Sequence, residues 1–314
     1  MEDAFSTYHP VINFFYFAVV LLFSMFFNHP AFLVISLLGA VIYSLVLLGT
    51  RRSLKFNLVG MLPMLFLVAL INPLFNHGGV TILGYWPTGN PMTLESIVYG
   101  IVMAVMFIEV IVWFACYNTI MTSDKFIYLF GRVIPALSLV LSMVLRFVPK
   151  FKAQLSVITQ GQKCIGRDIG AGNVWQRARN AINILSIMVT WALENAIDTA
   201  DSMKARGYGL KGRTSFSIFT FDTRDKWVGG IMLVLFLIVT GGVMGGLAYA
   251  SYNPVIKYSA FTPLSISVYV IYLVFCLMPV FVDVAEGIKW KQLTKGAAAS
   301  ESKEQPWHYS ISNI

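Results

Sequence analysis

The chain alternates long apolar runs with short polar segments, and the lengths of the runs predict membrane-spanning helices. A helix needs about 20 mostly apolar residues to cross about 30 Å of hydrocarbon. Six runs approach or reach this length, over residues 11–27, 31–49, 57–75, 94–117, 228–250 and 262–284. The pattern therefore predicts an all-α polytopic membrane protein with about six transmembrane helices.

Prolines and glycines refine this prediction in two places. Pro63 and Pro73 lie within the third run, so this helix is expected to be kinked or split, which a membrane tolerates when neighbouring groups satisfy the freed carbonyls. Residues 77–88, between the third and fourth runs, alternate apolar and polar positions and are bounded by glycine and proline. This pattern predicts a small β-hairpin.

The segment 118–226, between the fourth and fifth spans, is long and basic but still carries periodic apolar positions. The spacing predicts amphipathic helices over roughly 134–149, 150–166 and 174–206. Pro135 and Pro149 bracket the first of these, which is short for a span and fits a helix at the membrane interface. We therefore expect a set of helices beside the membrane here.

The distribution of Lys and Arg predicts the orientation of the chain. All of these side chains except Lys257 fall within residues 51–55, 118–226 and 289–303. Because positive residues concentrate on the cytoplasmic side, both termini and the segment 118–226 are predicted to be cytoplasmic. The expected division is N-terminal membrane helices 1–117, a cytoplasmic helical region 118–226, C-terminal membrane helices 227–290 and a flexible cytoplasmic tail 291–314.

Composition excludes several other classes of protein. Hydrophobic residues make up 57% of the chain and charged residues 12%, whereas soluble domains are about 25% charged. The net charge of +8 follows from membrane topology, so no nucleic-acid partner is implied. Cys116, Cys164 and Cys276 lack the spacing of a disulfide framework or zinc site, and no metal-ligand pattern is present among the histidines.

An acidic residue inside a span suggests a different function. Glu109 lies in the middle of the fourth predicted span, and ionisable residues at such positions are often functional. A stand-alone secondary carrier or channel would use such a group, and an integral membrane enzyme would cluster acids and histidines at one interface. An isolated glutamate also commonly pairs with a hydroxyl or carbonyl of a neighbouring helix.

The polar stretch 200–214 closes the last predicted cytoplasmic helix. Its residues 207–212 match G-x-G-x-x-G, but that fingerprint requires a preceding strand, and here a helix precedes it. Glycine commonly follows a helix end, so Gly207 is expected to stop this helix. Arg206, between the small residues Ala205 and Gly207, offers a rigid fork of donors for a partner's carboxylates or carbonyls. Alternatively, it binds helix-end carbonyls or lipid phosphates.

A small-Arg-small triplet after a long cytoplasmic helix, in a chain of about six spans, resembles the T component of energy-coupling factor (ECF) vitamin transporters, the CbiQ/EcfT-like family. Most of the chain takes part in this resemblance. Other matching pieces are Asn72-Pro73, Arg146-Phe147-Val148-Pro149 and Gln162.

The resemblance implies a non-catalytic subunit of an ATP-driven vitamin or micronutrient importer in the bacterial cell membrane. Two cytoplasmic ABC-type ATPases would bind the ATP, so this chain would need no cofactor. The segment 118–226 would be a coupling-helix region that transmits their motion to a substrate-binding S component in the membrane.

The resemblance also assigns candidate site residues. Ala205, Arg206 and Gly207 would dock into an ATPase. The family's first arginine triplet should lie near the end of the 150–166 helix, where this chain has Cys164-Ile165-Gly166. Arg167, the nearest arginine, is therefore assigned as the other docking residue. Alternatively, Arg167 pairs with Asp168 or with lipid phosphate. The S component is expected to contact the apolar stripe 134–158 at Ala136, Ser138 and Ser142, because small residues allow helices to approach closely. Alternatively, this stripe packs against the chain's own spans.

Overall fold

The computed structural model describes residues 3–85, 89–131, 134–210 and 219–301, with some side chains inside helices, such as 135–138 and 295–301, outside the description. The helices in chain order are α1 Pro10–Phe26, α2 Pro30–Leu48, α3 Thr50–Lys55, α4 Leu62–Phe75, α5 Leu94–Ile120, α6 Ser123–Gly131, α7 Pro135–Cys164, α8 Val174–Ala205, α9 Thr223–Met244 and α10 Pro263–Glu301. A 3-10 turn precedes α1 at Ala4–Thr7, and a π-helical segment Phe56–Met61 precedes α4.

The chain forms two compact units. Residues 1–122 and 219–314 form the first, here called the membrane unit, and residues 123–218 form the second, here called the central unit.

Four described helices of the membrane unit are long and apolar enough to cross a membrane: Pro30–Leu48, Leu94–Ile120, Thr223–Met244 and Pro263–Thr294. They correspond to the second, fourth, fifth and sixth predicted spans. The first and third predicted spans are shorter apolar helices, Pro10–Phe26 and Val59–Phe75. At 1.5 Å per residue, the 17 residues of α1 extend about 26 Å, slightly less than the hydrocarbon thickness. The prediction of an all-α membrane protein is confirmed at this level.

The core of the membrane unit is aromatic. Tyr16 of α1 is fully buried, and its ring lies 5.3 Å from Phe17, 6.1 Å from Trp113 of α5 and 5.5 Å from Phe275 of α10. Its hydroxyl donates to the Cys276 carbonyl at 2.9 Å. This satisfies the one polar group that the ring carries into the core.

Helices α2 and α10 pack closely because α2 carries a glycine at their contact. A Cβ atom on Gly39 would lie 2.9 Å from the Cβ atom of Cys276, closer than side chains tolerate. Small residues at such contacts allow helix backbones to approach in a membrane.

The third predicted span is an irregular helix that is not split at its prolines. The π-helical segment Phe56–Met61 runs directly into α4, and Pro63 lies in the first turn of α4. Pro73 lies in the last turn of the same helix.

A β-hairpin forms in this region, but its second strand lies beyond the predicted residues 77–88. Strands β1 Ile82–Tyr85 and β2 Pro91–Thr93 pair antiparallel, with Tyr85 opposite Pro91. Residues 86–88 at its tip lie outside the described residues. The loop 251–261 contributes to a second short antiparallel pair, β3 Ala250–Ser251 and β4 Lys257–Tyr258, which the sequence did not predict.

One prediction for the central unit is wrong. Residues 135–164 form the single helix α7, with Pro149 inside it, rather than two helices separated at Pro149. A proline removes one backbone donor and bends the helix, but the turns on both sides keep their own hydrogen bonds. The residues that follow, Lys150 and Phe151, also pack against α8, which holds this part of α7 helical.

The long helix predicted over 174–206 is confirmed as α8, Val174–Ala205. Asn173 caps its first turn, and the Gln176 side chain accepts from the Asn173 N–H, forming a capping box. The residues assigned to the start of the flexible tail continue α10 to Glu301, and residues 302–314 lie outside the described residues.

Candidate functional site

The end of α8 carries the predicted docking triplet in a Schellman motif. The Gly207 N–H donates to the Lys204 carbonyl at 2.9 Å, and the Tyr208 N–H donates to the Met203 carbonyl at 3.0 Å. Gly207 has φ +77°, the left-handed conformation that favours glycine. Ala205 is therefore the last helical residue, Arg206 is the C-cap, and Gly207 turns the chain away from the helix, as the sequence predicts.

The end of α7 has the same geometry. The Gly166 N–H donates to the Lys163 carbonyl at 3.0 Å, and the Arg167 N–H donates to the Gln162 carbonyl at 2.9 Å. Gly166 has φ +79°. The C-cap of α7 is Ile165, so Arg167 occupies the position that Tyr208 occupies after α8.

Arg206 is exposed, and within the described part of the chain its guanidinium has no hydrogen bond or ion pair. The nearby Lys204 pairs instead with Asp201, at 3.8 Å. Backbone N–H groups of Gly207 and Tyr208 bind helix-end carbonyls. The guanidinium is therefore available to a partner or to lipid phosphate.

Arg167 is also exposed. Its sequence neighbour Asp168 pairs with Lys163, at 3.3 Å, rather than with Arg167. The Gly170 N–H, which donates to Asp168 at 2.9 Å, and then the Lys163 ammonium hold the pKa of the Asp168 carboxyl below its usual value.

Side chains of α8 hold the loop between the two helices. Arg177 donates from Nε to the Ile169 carbonyl at 2.8 Å, and Asn180 donates to the Asp168 carbonyl at 3.1 Å. The loop that carries Arg167 therefore has a defined path over the start of α8.

Helices α7 and α8 are joined at one contact, here called the α7–α8 junction, formed by Lys150, Phe151, Trp191 and Asn195. The Lys150 ammonium donates to the Asn195 side chain at 2.7 Å and lies 5.3 Å from the Trp191 ring centroid. The Phe151 ring meets Trp191 edge to face, at 5.4 Å. These contacts fix the register of the two helices.

The predicted S-component contacts lie on α7. Ser142 is exposed, whereas the side chains of Ala136 and Ser138 lie outside the described residues. Val140, Val144 and Val148 are exposed at four-residue spacing on the same helix, so they form one apolar stripe along it.

Glu109 is fully enclosed in the membrane unit. Neither carboxylate oxygen has a hydrogen-bond partner, although the Ser36 hydroxyl lies beside it. The Ser36 hydroxyl accepts from the Trp113 indole at 3.1 Å and pairs with the Ser24 hydroxyl at 2.8 Å. A carrier site needs access from water, and this carboxyl is buried in packed core. Among the described residues no cluster of three or more metal-ligating side chains is found.

Two polar contacts of the membrane unit do not follow from the sequence pattern. Asn72 of α4 donates to the Ser96 carbonyl of α5 at 2.7 Å, so the polar residue of the Asn72-Pro73 pair joins two helices. The sequence marks Asn72 within the Asn72-Pro73 pair that matches the family, but its spacing gives no signal for this contact.

The second of these contacts is a cluster around Arg224 at the start of α9. The guanidinium pairs with Glu286 of α10 at 2.8 Å, donates to the Thr7 hydroxyl at 3.2 Å and lies 4.1 Å from the Tyr8 ring centroid. The cluster ties the N-terminal turn to α9 and α10. Its members are up to 279 residues apart in the chain, so sequence spacing gives no signal for it.

These elements define a multi-pass helical membrane protein whose second compact unit contains the short helix α6 and the two long helices α7 and α8. The chain belongs to the CbiQ family, described as cobalt transport protein, whose model matches residues 6–218. Family membership confirms the inferred resemblance and makes the chain a membrane component of a transport system.

Relatives of the chain carry a more specific name. It is 28% identical to the energy-coupling factor transporter transmembrane protein EcfT of Lacticaseibacillus paracasei over 212 residues, which is 62% of this chain and 78% of the relative. It is 27% identical to EcfT of Lactococcus lactis, over 64% of this chain and 79% of the relative. It is also 27% identical to EcfT of Staphylococcus aureus, over 64% of this chain and 82% of the relative.

Proposed function

We propose that the chain is the transmembrane T component of an ECF-type importer of a vitamin or other micronutrient. In this role it docks two cytoplasmic ABC-type ATPases and passes their motion to a membrane S component that binds the substrate. ATP is bound by the ATPases, and this chain catalyses no reaction. The membrane is the bacterial cell membrane, with both termini on the cytoplasmic side.

The observation that carries this proposal is the end of α8. Ala205 and Gly207 are small, Arg206 is exposed, and its guanidinium is free of other described residues. A rigid guanidinium on a fixed helix end suits a carboxylate-lined or carbonyl-lined groove. Arg167, exposed beside the end of α7, is the second proposed docking residue.

The remaining parts of the proposal follow the chain. The region 118–226 couples the ATPases to the membrane, and the membrane helices in 1–117 and 227–290 hold it. The S component contacts α7 at Ala136, Ser138 and Ser142. The fully enclosed position of Glu109 gives no support to a stand-alone carrier.

The test replaces Arg206 with glutamate in the full-length chain, co-expressed with the ATPases and S component of its own transporter. Losing a desolvated charge contact costs about 2–5 kcal/mol, so we expect the ATPases retained on the purified chain to fall by about 30-fold or more. Arg179→Glu makes the same charge change at another exposed position on α8 and should retain them. Full retention by Arg206→Glu, or a wild-type chain that purifies and transports alone, would refute the proposal.

A further inference from the structure

Helix α10 is longer than a membrane crossing requires. Its 39 residues, Pro263–Glu301, extend about 58 Å at 1.5 Å per residue, whereas the hydrocarbon core is about 30 Å thick and the headgroup layers raise the total to about 40–45 Å. The predicted span 262–284 is already long enough for the hydrocarbon core. The part of α10 that follows residue 284 therefore passes through one headgroup layer and continues beyond it.

The first turns after this span are basic and aromatic. Lys289, Trp290 and Lys291 lie about 8–10 Å along the helix from residue 284, at the outer side of the headgroup layer. Trp290 is 65% exposed and Leu293 is 57% exposed. Tryptophan is enriched at membrane interfaces because it has an apolar ring and a polar N–H group, and lysine can bend its long side chain back toward the lipid phosphates.

Lys289, Trp290 and Leu293 lie on one face of α10, because residues three and four apart on a helix are neighbours. With Glu286, one turn earlier, they line a shallow groove on the surface. The groove therefore places an ammonium group beside exposed apolar surface. A phospholipid presents the complementary combination, a charged phosphate next to apolar chains.

The cations of this segment have no protein partner among the described residues. Neither the Lys289 ammonium nor the Lys291 ammonium forms an ion pair or a hydrogen bond there. No aspartate or glutamate occurs in residues 287–300, whereas a third lysine, Lys295, does. This part of α10 is therefore positively charged.

The nearest acids of α10 are already engaged. Glu286 pairs with Arg224 of α9 at 2.8 Å, and Asp283 accepts from the Phe5 N–H at 3.1 Å. Because Arg224 balances the charge of Glu286, the lysine charges stay uncompensated.

We propose that Lys289, Trp290, Lys291 and Leu293, here called the α10 basic segment, bind the headgroup of an anionic phospholipid. Lys289 contacts the phosphate in the groove, and Lys291 adds to the positive potential. The Trp290 ring and Leu293 pack against the lipid. Each lysine near a membrane surface strengthens the attraction to anionic lipid about fivefold, whereas a zwitterionic headgroup offers no net charge. The inference goes beyond the proposed function and does not depend on which proteins assemble with the chain.

Photo-cross-linking to lipid tests this site in the full-length chain. The chain is reconstituted into vesicles of phosphatidylcholine that contain phosphatidylglycerol with a photoreactive group, and the linked peptides are identified by mass spectrometry. We expect adducts within residues 286–293, at a yield that falls about 25-fold in Lys289→Gln with Lys291→Gln. Lys289→Arg with Lys291→Arg keeps both charges and should keep the yield. Lys257→Gln, at an exposed lysine of β4, should not change it.

Three kinds of result would overturn the inference. An equal yield in residues 286–293 from photoreactive phosphatidylcholine would show that the segment lies at the interface without recognising anionic lipid. An unchanged yield in the glutamine variant would show that the two lysines do not bind the lipid. Absence of adducts in these residues, or their replacement by adducts with another subunit in the assembled transporter, would show that lipid is not the ligand.

Discussion

Replacing Trp191 with leucine should loosen the α7–α8 junction while leaving both helices folded. Trp191 supplies two contacts that leucine cannot make: the edge-to-face contact with Phe151 at 5.4 Å and the face beneath the Lys150 ammonium at 5.3 Å. The first is worth about 0.5–1.5 kcal/mol and the second about 0.5–1 kcal/mol at an exposed site.

Together these contacts stabilise the paired helices by about 1–2.5 kcal/mol. A loss of this size raises the population of separated arrangements by a factor of about 5 to 70. If the helices transmit ATPase motion as a pair, ATP hydrolysis should continue in the variant while uptake per ATP hydrolysed falls.

The assay measures the distance between spin labels on exposed positions of the two helices, Val157→Cys on α7 and Ile182→Cys on α8, in the Cys164→Ser chain. Trp191→Leu should broaden this distance distribution in the assembled complex. Trp175→Leu removes a tryptophan that is 82% exposed at the start of the same helix and should leave it unchanged. A distribution identical to wild type in Trp191→Leu, with unchanged uptake per ATP, would show that Trp191 does not hold the two helices together.

Two further predictions concern the stability of the membrane unit. Arg224→Met removes the ion pair with Glu286 and the contact with Tyr8. It should lower the free energy of unfolding in detergent by about 1–2 kcal/mol, because the ion pair is half exposed. If Arg224→Met caused the same loss in a chain that already carries Glu286→Gln, the pairing would be contradicted. Burial lowers the pKa of His29, and a hydrogen bond with the Ser259 backbone partly opposes this shift. The folded protein therefore favours the neutral imidazole ring. The stability that the neutral ring contributes is lost as pH falls below the unfolded pKa of about 6.5. The melting temperature should therefore fall as the pH is lowered from about 7.5 to about 5.5. The fall should be smaller in His29→Asn, whose side chain can still cap the helix. An equal fall in His29→Asn and in the wild type would contradict this role for His29.

Sequence pattern predicts the parts of the fold that depend on local rules. Apolar runs locate the membrane helices because a span requires its length in sequence. Gly207 marks the end of α8 because a left-handed residue at this position favours glycine. The alternation in 77–88 predicts a hairpin there; β1 lies within this range, whereas β2 at Pro91–Thr93 follows it.

The sequence is less informative where distant residues decide the structure. Pro149 suggests a break, but contacts of α7 with Trp191 and Asn195 accompany a continuous helix. The N-terminal turn at Ala4–Thr7 has no periodic signal, and its Phe5 N–H is bound by Asp283 at 3.1 Å. Such contacts join residues far apart in the chain, so neither helix propensity nor spacing shows them.

The candidate site divides in the same way. Arg206 between two small residues is visible in the sequence, and the structure gives it the C-cap of α8. Arg167 does not occupy the position in α7 that Arg206 occupies in α8. This becomes visible only in the structure, where the hydrogen bonds of Gly166 identify Ile165 as the C-cap of α7. The docking and S-component residues remain predictions.

Photo-cross-linking at the end of α8 shows whether this helix end docks into a nucleotide-driven partner. A photoreactive amino acid replaces Ala205 in the full-length chain, expressed with its transporter in native membranes and irradiated there. We expect an adduct with an ABC-type ATPase that disappears when Arg206→Glu is added. Adducts with lipid alone, or an ATPase adduct unchanged by Arg206→Glu, would contradict it.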